Sequence, residues 1–258
     1  MAAEDGIVTA CLIIIGNEIL SGRTEDANLP FLARRLNEVG VRLADARVIP
    51  DVEDTIVDTV NECRARYDYV FTTGGIGPTH DDITGASIAK AFGVGWALND
   101  EAHRILTTHY QMTGAKLNEA RLKMAYTPLG AELIENPVSK APGYRLENVY
   151  VFAGIPSVMQ AMFESIAHTL TGGAPVLSRT VAATLPEGTI AADLGALQER
   201  YPGIDIGSYP FYRAGKFGCS LVLRTTDETA LDAAAGELAG IIRDLGEQPI
   251  FGEEGDTT

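Results

Sequence analysis

Thr73-Gly-Gly-Ile-Gly-Pro-Thr-His-Asp-Asp82 brings together the residue types from which phosphate chemistry could be built. Gly74, Gly75 and Gly77 allow backbone angles that other residues resist and let a ligand approach the main chain closely. N–H groups left free in such a turn form a concave anion site. Asp81 and Asp82 put two carboxylates where a phosphate would be repelled unless a cation lay between them. That pairing points to Mg2+ or another divalent metal acting on a phosphorylated ligand. Asp82 is the first candidate for catalysis, with Asp81 assisting and both as candidate metal ligands. Thr73 and Thr79 add hydroxyls around the turn, and Thr84 reads as the cap of the helix that follows. The plain alternative is that the turn only joins a strand to a helix.

Other candidates lie outside the turn. Asp51 either steadies the start of a helix through its dipole or supplies a further catalytic carboxylate. Asn17, Glu18 and Ser21 either satisfy backbone groups in a loop or wall the same cleft. Asn118, Arg121 and Lys123 form one modestly basic segment, read either as a solvated helix face or as ligand contacts. His80 has no partner that would assign it to proton transfer or metal binding. His103 and His109 are six apart, which is not ligand spacing, and no nucleophile elbow is present.

These residues need elements to hold them. Thr9–Ile15 is a nearly continuous apolar run, as expected of a strand buried on both faces of a parallel sheet. A polar loop over Asn17–Asn28 follows, and then a helix capped by Asn28. Val41–Ile49 and Tyr69–Thr73 read as further strands, each followed by a helix. Strand and helix alternating with short connections imply a mostly parallel sheet covered on both faces. Ligands bind such folds beyond the carboxyl ends of the strands, where Asn17, Glu18, Asp51 and the glycine turn all fall. Val149–Ala153 makes one more strand, before a helix capped by Ser157. Thr171–Pro175 reads as a linker, so residues 1–172 form one α/β domain and 175–258 a smaller α+β domain of about 80 residues. That second domain is expected to hold strands over Val176–Leu185, Ile204–Tyr209 and Phe217–Thr225, with a last helix capped by Asp227. The acidic end, Gly252–Thr258, is expected to fray.

Thirty-five acidic against twenty basic residues give a net charge of −15 over 258 residues. Nucleic acid is excluded as a partner, because backbone binding needs clustered Lys and Arg. No run of about 18 apolar residues suggests a membrane span and no secretory leader is seen, so the protein is expected to be cytoplasmic. Cys11, Cys63 and Cys219 have no metal-ligand spacing and read as buried free thiols.

Thr72–Thr84, Gly16-Asn-Glu-Ile-Leu-Ser-Gly22 and Asn28 resemble the molybdopterin-binding domain family that includes MoaB and Mog. Pro137–Gly143 and Gly154-Ile-Pro-Ser-Val-Met159 extend the likeness to the amino-terminal domain of the competence/damage-inducible CinA proteins, over roughly residues 8–170. Ile206-Gly-Ser-Tyr-Pro210 is similar to the molybdopterin-binding-like half of eukaryotic FAD synthases. The resemblance implies a three-layer α/β fold. It implies adenylyl transfer roles for Asp82 and Asp51, as in Mog-type members, and metal-dependent cleavage of the pyrophosphate in ADP-ribose or FAD, as in CinA-type and FAD synthase members. It also implies a homo-oligomer, with a nucleotide or pterin as the small-molecule partner. Val158 stands where the CinA pattern has an acid, and the deamidase domain common in CinA proteins is not matched, so deamidation is not expected. The leading expectation is therefore a metal-dependent nucleotide pyrophosphatase. The alternatives are a non-catalytic molybdopterin-binding protein and a structural oligomerisation domain.

Overall fold

Strand β1, Val8–Ile15, sends alternate side chains into two different cores. Ala10, Leu12 and Ile14 meet Leu32 and Leu36 of helix Asn28–Glu38 and Met159, Met162 and Phe163 of helix Pro156–Ile166. Cys11, Ile13 and Ile15 meet Ile56, Val60 and Cys63 of helix Glu53–Arg66 and Ile88 and Ala91 of helix Thr84–Phe92. A strand's period of two makes this division unavoidable once helices lie on both faces. Helices, sheet and helices thus form three layers. Each large apolar side chain buried this way contributes about 1.5–3 kcal/mol.

The computed structural model describes residues 7–213 and 215–252, and the chain divides into units Met1–Gly173 and Ala174–Thr258. In the first unit β1 is followed by α1 (Asn17–Leu20), α2 (Asn28–Glu38), β2 (Val41–Ile49), α3 (Glu53–Arg66), β3 (Tyr69–Thr73) and α4 (Thr84–Phe92). Then come β4 (Trp96–Leu98), α5 (Asp100–Thr113), α6 (Glu119–Leu122), β5 (Tyr126–Pro128), β6 (Glu132–Ile134), β7 (Gly143–Leu146), β8 (Val149–Phe152) and α7 (Pro156–Ile166). The main sheet runs β2-β1-β3-β8-β7-β6. Its first four strands are parallel, and β7 is antiparallel to both of its neighbours. β4 and β5 pair separately as a short antiparallel ribbon.

Several helix starts differ from the sequence expectation. Asn17–Leu20 form a helical turn rather than a loop. Asn28 does not cap α2: Asp26 Oδ2 accepts from the Leu29 N–H at 2.7 Å, while the buried Asn28 amide donates to the Gly154 carbonyl at 2.9 Å. Ser157 makes no cap bond either, because α7 begins at Pro156, whose missing N–H suits a first turn. Thr84 is the first residue of α4 and likewise makes no side-chain cap bond. Its own N–H donates to the Gly75 carbonyl at 3.0 Å, and its hydroxyl is buried beneath Gly75.

The second unit holds β9 (Leu177–Ala183), α8 (Glu187–Arg200), β10 (Asp205–Arg213), β11 (Lys216–Thr225), α9 (Glu228–Asp244) and β12 (Ile250–Phe251). All strand pairs are antiparallel in the order β10-β11-β9-β12. Val181, Leu221 and Leu223 pack on Ile190 and Leu197 of α8 and Leu231, Leu238 and Ile242 of α9, a core of the unit's own. Asp227 caps α9, accepting from the Ala230 N–H at 3.0 Å. β12 is two residues long, too short for a sequence pattern to announce. Residues 1–6 and the acidic end at 253–258 lie outside the described residues. The three cysteines are free and buried, with Cys11 and Cys63 Sγ atoms 3.4 Å apart. Among the described residues no helix is long and apolar enough to cross a membrane.

Candidate functional site

Because β1, β2, β3 and β8 are parallel, the loops leaving Ile15, Ile49, Thr73 and Phe152 gather at one sheet edge. Backbone contacts lock them together. Gly16 N–H donates to the Ile49 carbonyl at 3.2 Å, and Asn17 N–H donates to Asp51 Oδ2 at 2.9 Å. Gly74 N–H donates to the Phe152 carbonyl at 3.2 Å. A Cβ on Gly74 would stand 2.2 Å from the Ile15 carbonyl oxygen, so glycine is what lets the turn cross the end of β1.

Within the turn, Asp82 Oδ2 accepts from the Thr79 N–H at 2.7 Å and from the Thr79 hydroxyl. The carboxylate lies over Gly77, where a Cβ would meet Oδ2 at 2.7 Å. Lys123 Nζ donates to the Thr79 carbonyl at 2.7 Å, which places a cation on the turn that carries Asp82. The Asp81 carboxyl is held below the usual carboxylate range by hydrogen bonding at Thr79 and at its own backbone N–H, with His80 and Lys123 adding Coulombic support.

Gly75, Ile76, Gly77, Asp82 and Lys123 form a wall of a small, partly open cleft of about 20 Å3. Trp96, Tyr126 and Tyr144 line it as well, beside Gly85, Met124 and Pro142. Trp96 packs closely on α4: a Cβ on Gly85 would be 2.2 Å from its indole. The Trp96 and Tyr126 rings are 6.2 Å apart at 36°. No residue spacing in the sequence announces this aromatic wall. Its members come from β4, β5 and β7, and the β4–β5 pairing that brings Trp96 beside residues 126–128 links segments about thirty residues apart.

The candidate residues are therefore sorted by geometry. Gly75, Gly77, Asp82 and Lys123 share the cleft. Thr79 holds Asp82, and Asp81 is exposed beside it. Gly74 differs from the expectation that its amide binds anions, since that N–H is tied to β8. Thr73 is buried at the end of β3. Asn17, Glu18 and Ser21 are exposed on α1 and the residue after it, with Ser21 Oγ donating to the Glu18 carbonyl at 3.2 Å. Asn118 caps α6, accepting from the Arg121 N–H at 3.0 Å. Arg121 is folded back, its guanidinium donating to the Lys116 carbonyl at 2.7 Å and lying 4.9 Å over the Tyr110 ring. It is thus a local clamp and does not line the cleft.

As for a metal, no group of three or more His, Cys, Asp or Glu side chains gathers among the described residues in a way that would hold one. Asp51 sits on α1's first N–H and does not join Asp81 and Asp82 in such a group. A dedicated protein cage is therefore not what these residues build. Mg2+ typically keeps several waters and takes one or two carboxylates together with substrate phosphates, and Asp82 with Asp81 fits that donor set.

Residues 11–173 match the family model described as "Probable molybdopterin binding domain", and residues 175–245 match "FAD synthase, middle domain". The solved structure of the protein CinA of Thermoplasma acidophilum, described as of unknown function, superposes with a TM-score of 0.59 at 31% identity, covering 64% of this chain and 99% of that one. A protein of Pyrobaculum calidifontis is 36% identical over 211 residues, 78% of this chain and 80% of the other. A "Probable FAD synthase" of Caenorhabditis elegans is 31% identical over 261 residues, 91% of this chain but only 50% of that protein.

Proposed function

We propose, for a chain that belongs to the molybdopterin-binding domain family and resembles CinA in structure, that it hydrolyses the pyrophosphate of a nucleotide cofactor such as ADP-ribose or FAD. The observation that carries the reading is the convergence of the Gly75–Gly77 turn, Lys123 and Asp82 on one cleft. A phosphoanhydride needs donors for its oxygens, a cation against its charge and a carboxylate to organise that cation, and this wall has all three. The match of residues 175–245 to the FAD synthase middle domain and the 31% identity to a probable FAD synthase support including the flavin nucleotide among the proposed substrates.

Asp82, with Asp81, would hold a divalent metal against the phosphates; when bound, the ion would neutralise charge developing on the phosphoryl oxygens. Thr79 fixes the Asp82 carboxylate by two bonds to one oxygen, so its other oxygen faces its task in a set orientation. Lys123 steadies the Thr79 carbonyl and supplies positive charge beside the turn. The Gly75, Ile76 and Gly77 backbone supports the diphosphate at close approach, because a side chain at 77 would fall on Asp82.

A second reading, a molybdopterin-binding protein without catalysis, is favoured by the description of the family itself. Incubating ADP-ribose, FAD and NADH with Mg2+ or Mn2+ and scoring AMP release, in wild type and Asp82→Asn, separates the two. AMP release that falls at least a hundredfold in the variant is expected. Absence of AMP from every nucleotide, together with pterin co-purifying, overturns the hydrolase.

A further inference from the structure

Cys11 and Cys63 lie outside the cleft and take no part in the function proposed above. They are 52 residues apart in the chain, on β1 and α3, yet their sulfurs meet at 3.4 Å and both side chains are fully buried. The register of β1 against β2 slips between Ala10 and Cys11, which sets Cys11 opposite Asp45. Asp45 Oδ2 accepts from Arg47 Nε at 3.0 Å and from the Tyr67 hydroxyl at 3.1 Å, while Arg47 holds both carboxylate oxygens of Glu62, the neighbour of Cys63, at 2.7 Å. The Cys11 S–H donates to the Cys63 sulfur. That bond, helped by the Arg47 charge, draws the Cys63 thiol below its ordinary range; burial and the charges of Asp45 and Glu62 oppose the shift without reversing it. The same bond, together with burial, pushes Cys11 up.

We propose that Cys11 and Cys63 are a redox modification site, oxidised by a small peroxide to an internal disulfide that staples β1 to α3. The Cys63 thiolate attacks hydrogen peroxide and breaks the O–O bond, becoming a sulfenic acid and releasing hydroxide, which takes up the proton that Cys63 had lost. Cys11 then gives up its proton as its sulfur attacks Cys63, forming the S–S bond and expelling the sulfenic hydroxyl as water. Two thiols are oxidised, one peroxide is reduced and two waters leave. The gap to close, from 3.4 Å to a disulfide's length of about 2.05 Å, is small enough for side-chain rotation. Cys63 lies in the last turn of α3, and the fraying of helix ends gives a small oxidant its way in. Burial keeps larger thiols out, so the product is the internal bond.

The test exposes the reduced full chain to hydrogen peroxide in native buffer, alkylates it in urea and digests it without reductant. The expected product is a peptide linking Cys11 to Cys63, with Cys219, buried in the core of the second unit, still alkylated. Because the bond closes a long loop, the linked protein should melt roughly 4–16 °C higher than the reduced one by the emission of Trp96, and dithiothreitol should reverse the rise. Cys11→Ser keeps a donor to Cys63 but cannot cross-link, so its Cys63 should be trapped as the sulfenic acid by dimedone. Absence of the linked peptide, its formation only in urea, oxidation of Cys219 at the same rate, or a linked protein that melts no higher overturns the proposal. The wild-type peptide map decides the matter whether or not the variant folds.

Discussion

Gly75 and Gly93 flank the ends of α4 with nearly the same backbone, φ +68° and +66°, yet alanine would meet quite different surroundings at each. At Gly93, the helix C-cap, nothing lies within 4 Å of an added Cβ. At Gly75 the Cβ would stand 2.0 Å from Thr84 Oγ1 and 3.0 Å from Thr84 Cβ, both on a fully buried residue. Left-handed geometry costs alanine about 1–2 kcal/mol, offset by about 0.4–1 kcal/mol from a less flexible unfolded chain. Gly93→Ala should therefore lose about 1 kcal/mol or less. Gly75→Ala adds an overpacking penalty of about 1–3 kcal/mol, for a total of roughly 1–4 kcal/mol. In a unit of this size 1 kcal/mol moves Tm by about 2–4 °C, so the two variants should separate by several degrees. Trp96 lies in the first unit and follows its unfolding without interference from the second. Adding Thr84→Ala to Gly75→Ala should return about 1 kcal/mol, since it removes the clashing oxygen, which has no hydrogen-bond partner to lose. Equal losses for the two glycine variants, or no recovery in the double variant, would refute the close approach of Gly75 to Thr84.

Lys123→Ala should weaken pyrophosphate binding about tenfold or more, whereas Arg121→Ala should stay within about twofold, because only Lys123 lines the cleft; isothermal titration distinguishes them, and the reverse order contradicts the geometry. Arg35 bonds both carboxylate oxygens of Glu164 at 2.7 Å, joining α2 to α7 and holding the Glu164 carboxyl below its ordinary range. A depressed carboxyl stabilises the fold above its unfolded pKa of about 4.3, and that contribution is lost as pH falls through the lower folded value. Urea-derived stabilities of wild type and Arg35→Ala should accordingly differ by a few tenths of a kcal/mol at pH 7, since the pair is half exposed, and converge once pH falls below the lowered Glu164 value. A gap that stays constant with pH would assign the effect to packing.

The parallel sheet was legible because strands buried on both faces appear in the chain as unbroken apolar runs, as in Cys11–Ile15 and Val70–Phe71. The turn was legible because glycines and paired acids are uncommon companions. Three kinds of feature escaped. Capping was misassigned at Asn28, Ser157 and Thr84, since capping preference is local and burial overrode it at Asn28 and Thr84. The use of the Gly74 amide depended on β8, a strand nearly eighty residues away. The aromatic wall depended on antiparallel pairing of β4 with β5, short edge elements with little periodicity of their own.

The alternation of β1 also bears on how such a chain can change. Helices α2 and α7 share one core, α3 and α4 the other, and neighbouring residues of β1 are assigned to opposite sides. Enlarging Leu12 would have to be answered within the first core, while Ile13 one position later is indifferent to it. Contacting substitutions couple energetically, and those separated by a sheet largely add. The two sides of the sheet can therefore diverge as separate compartments, whereas a single-residue insertion within β1 would exchange their contents at once and is the change this strand is least able to accept.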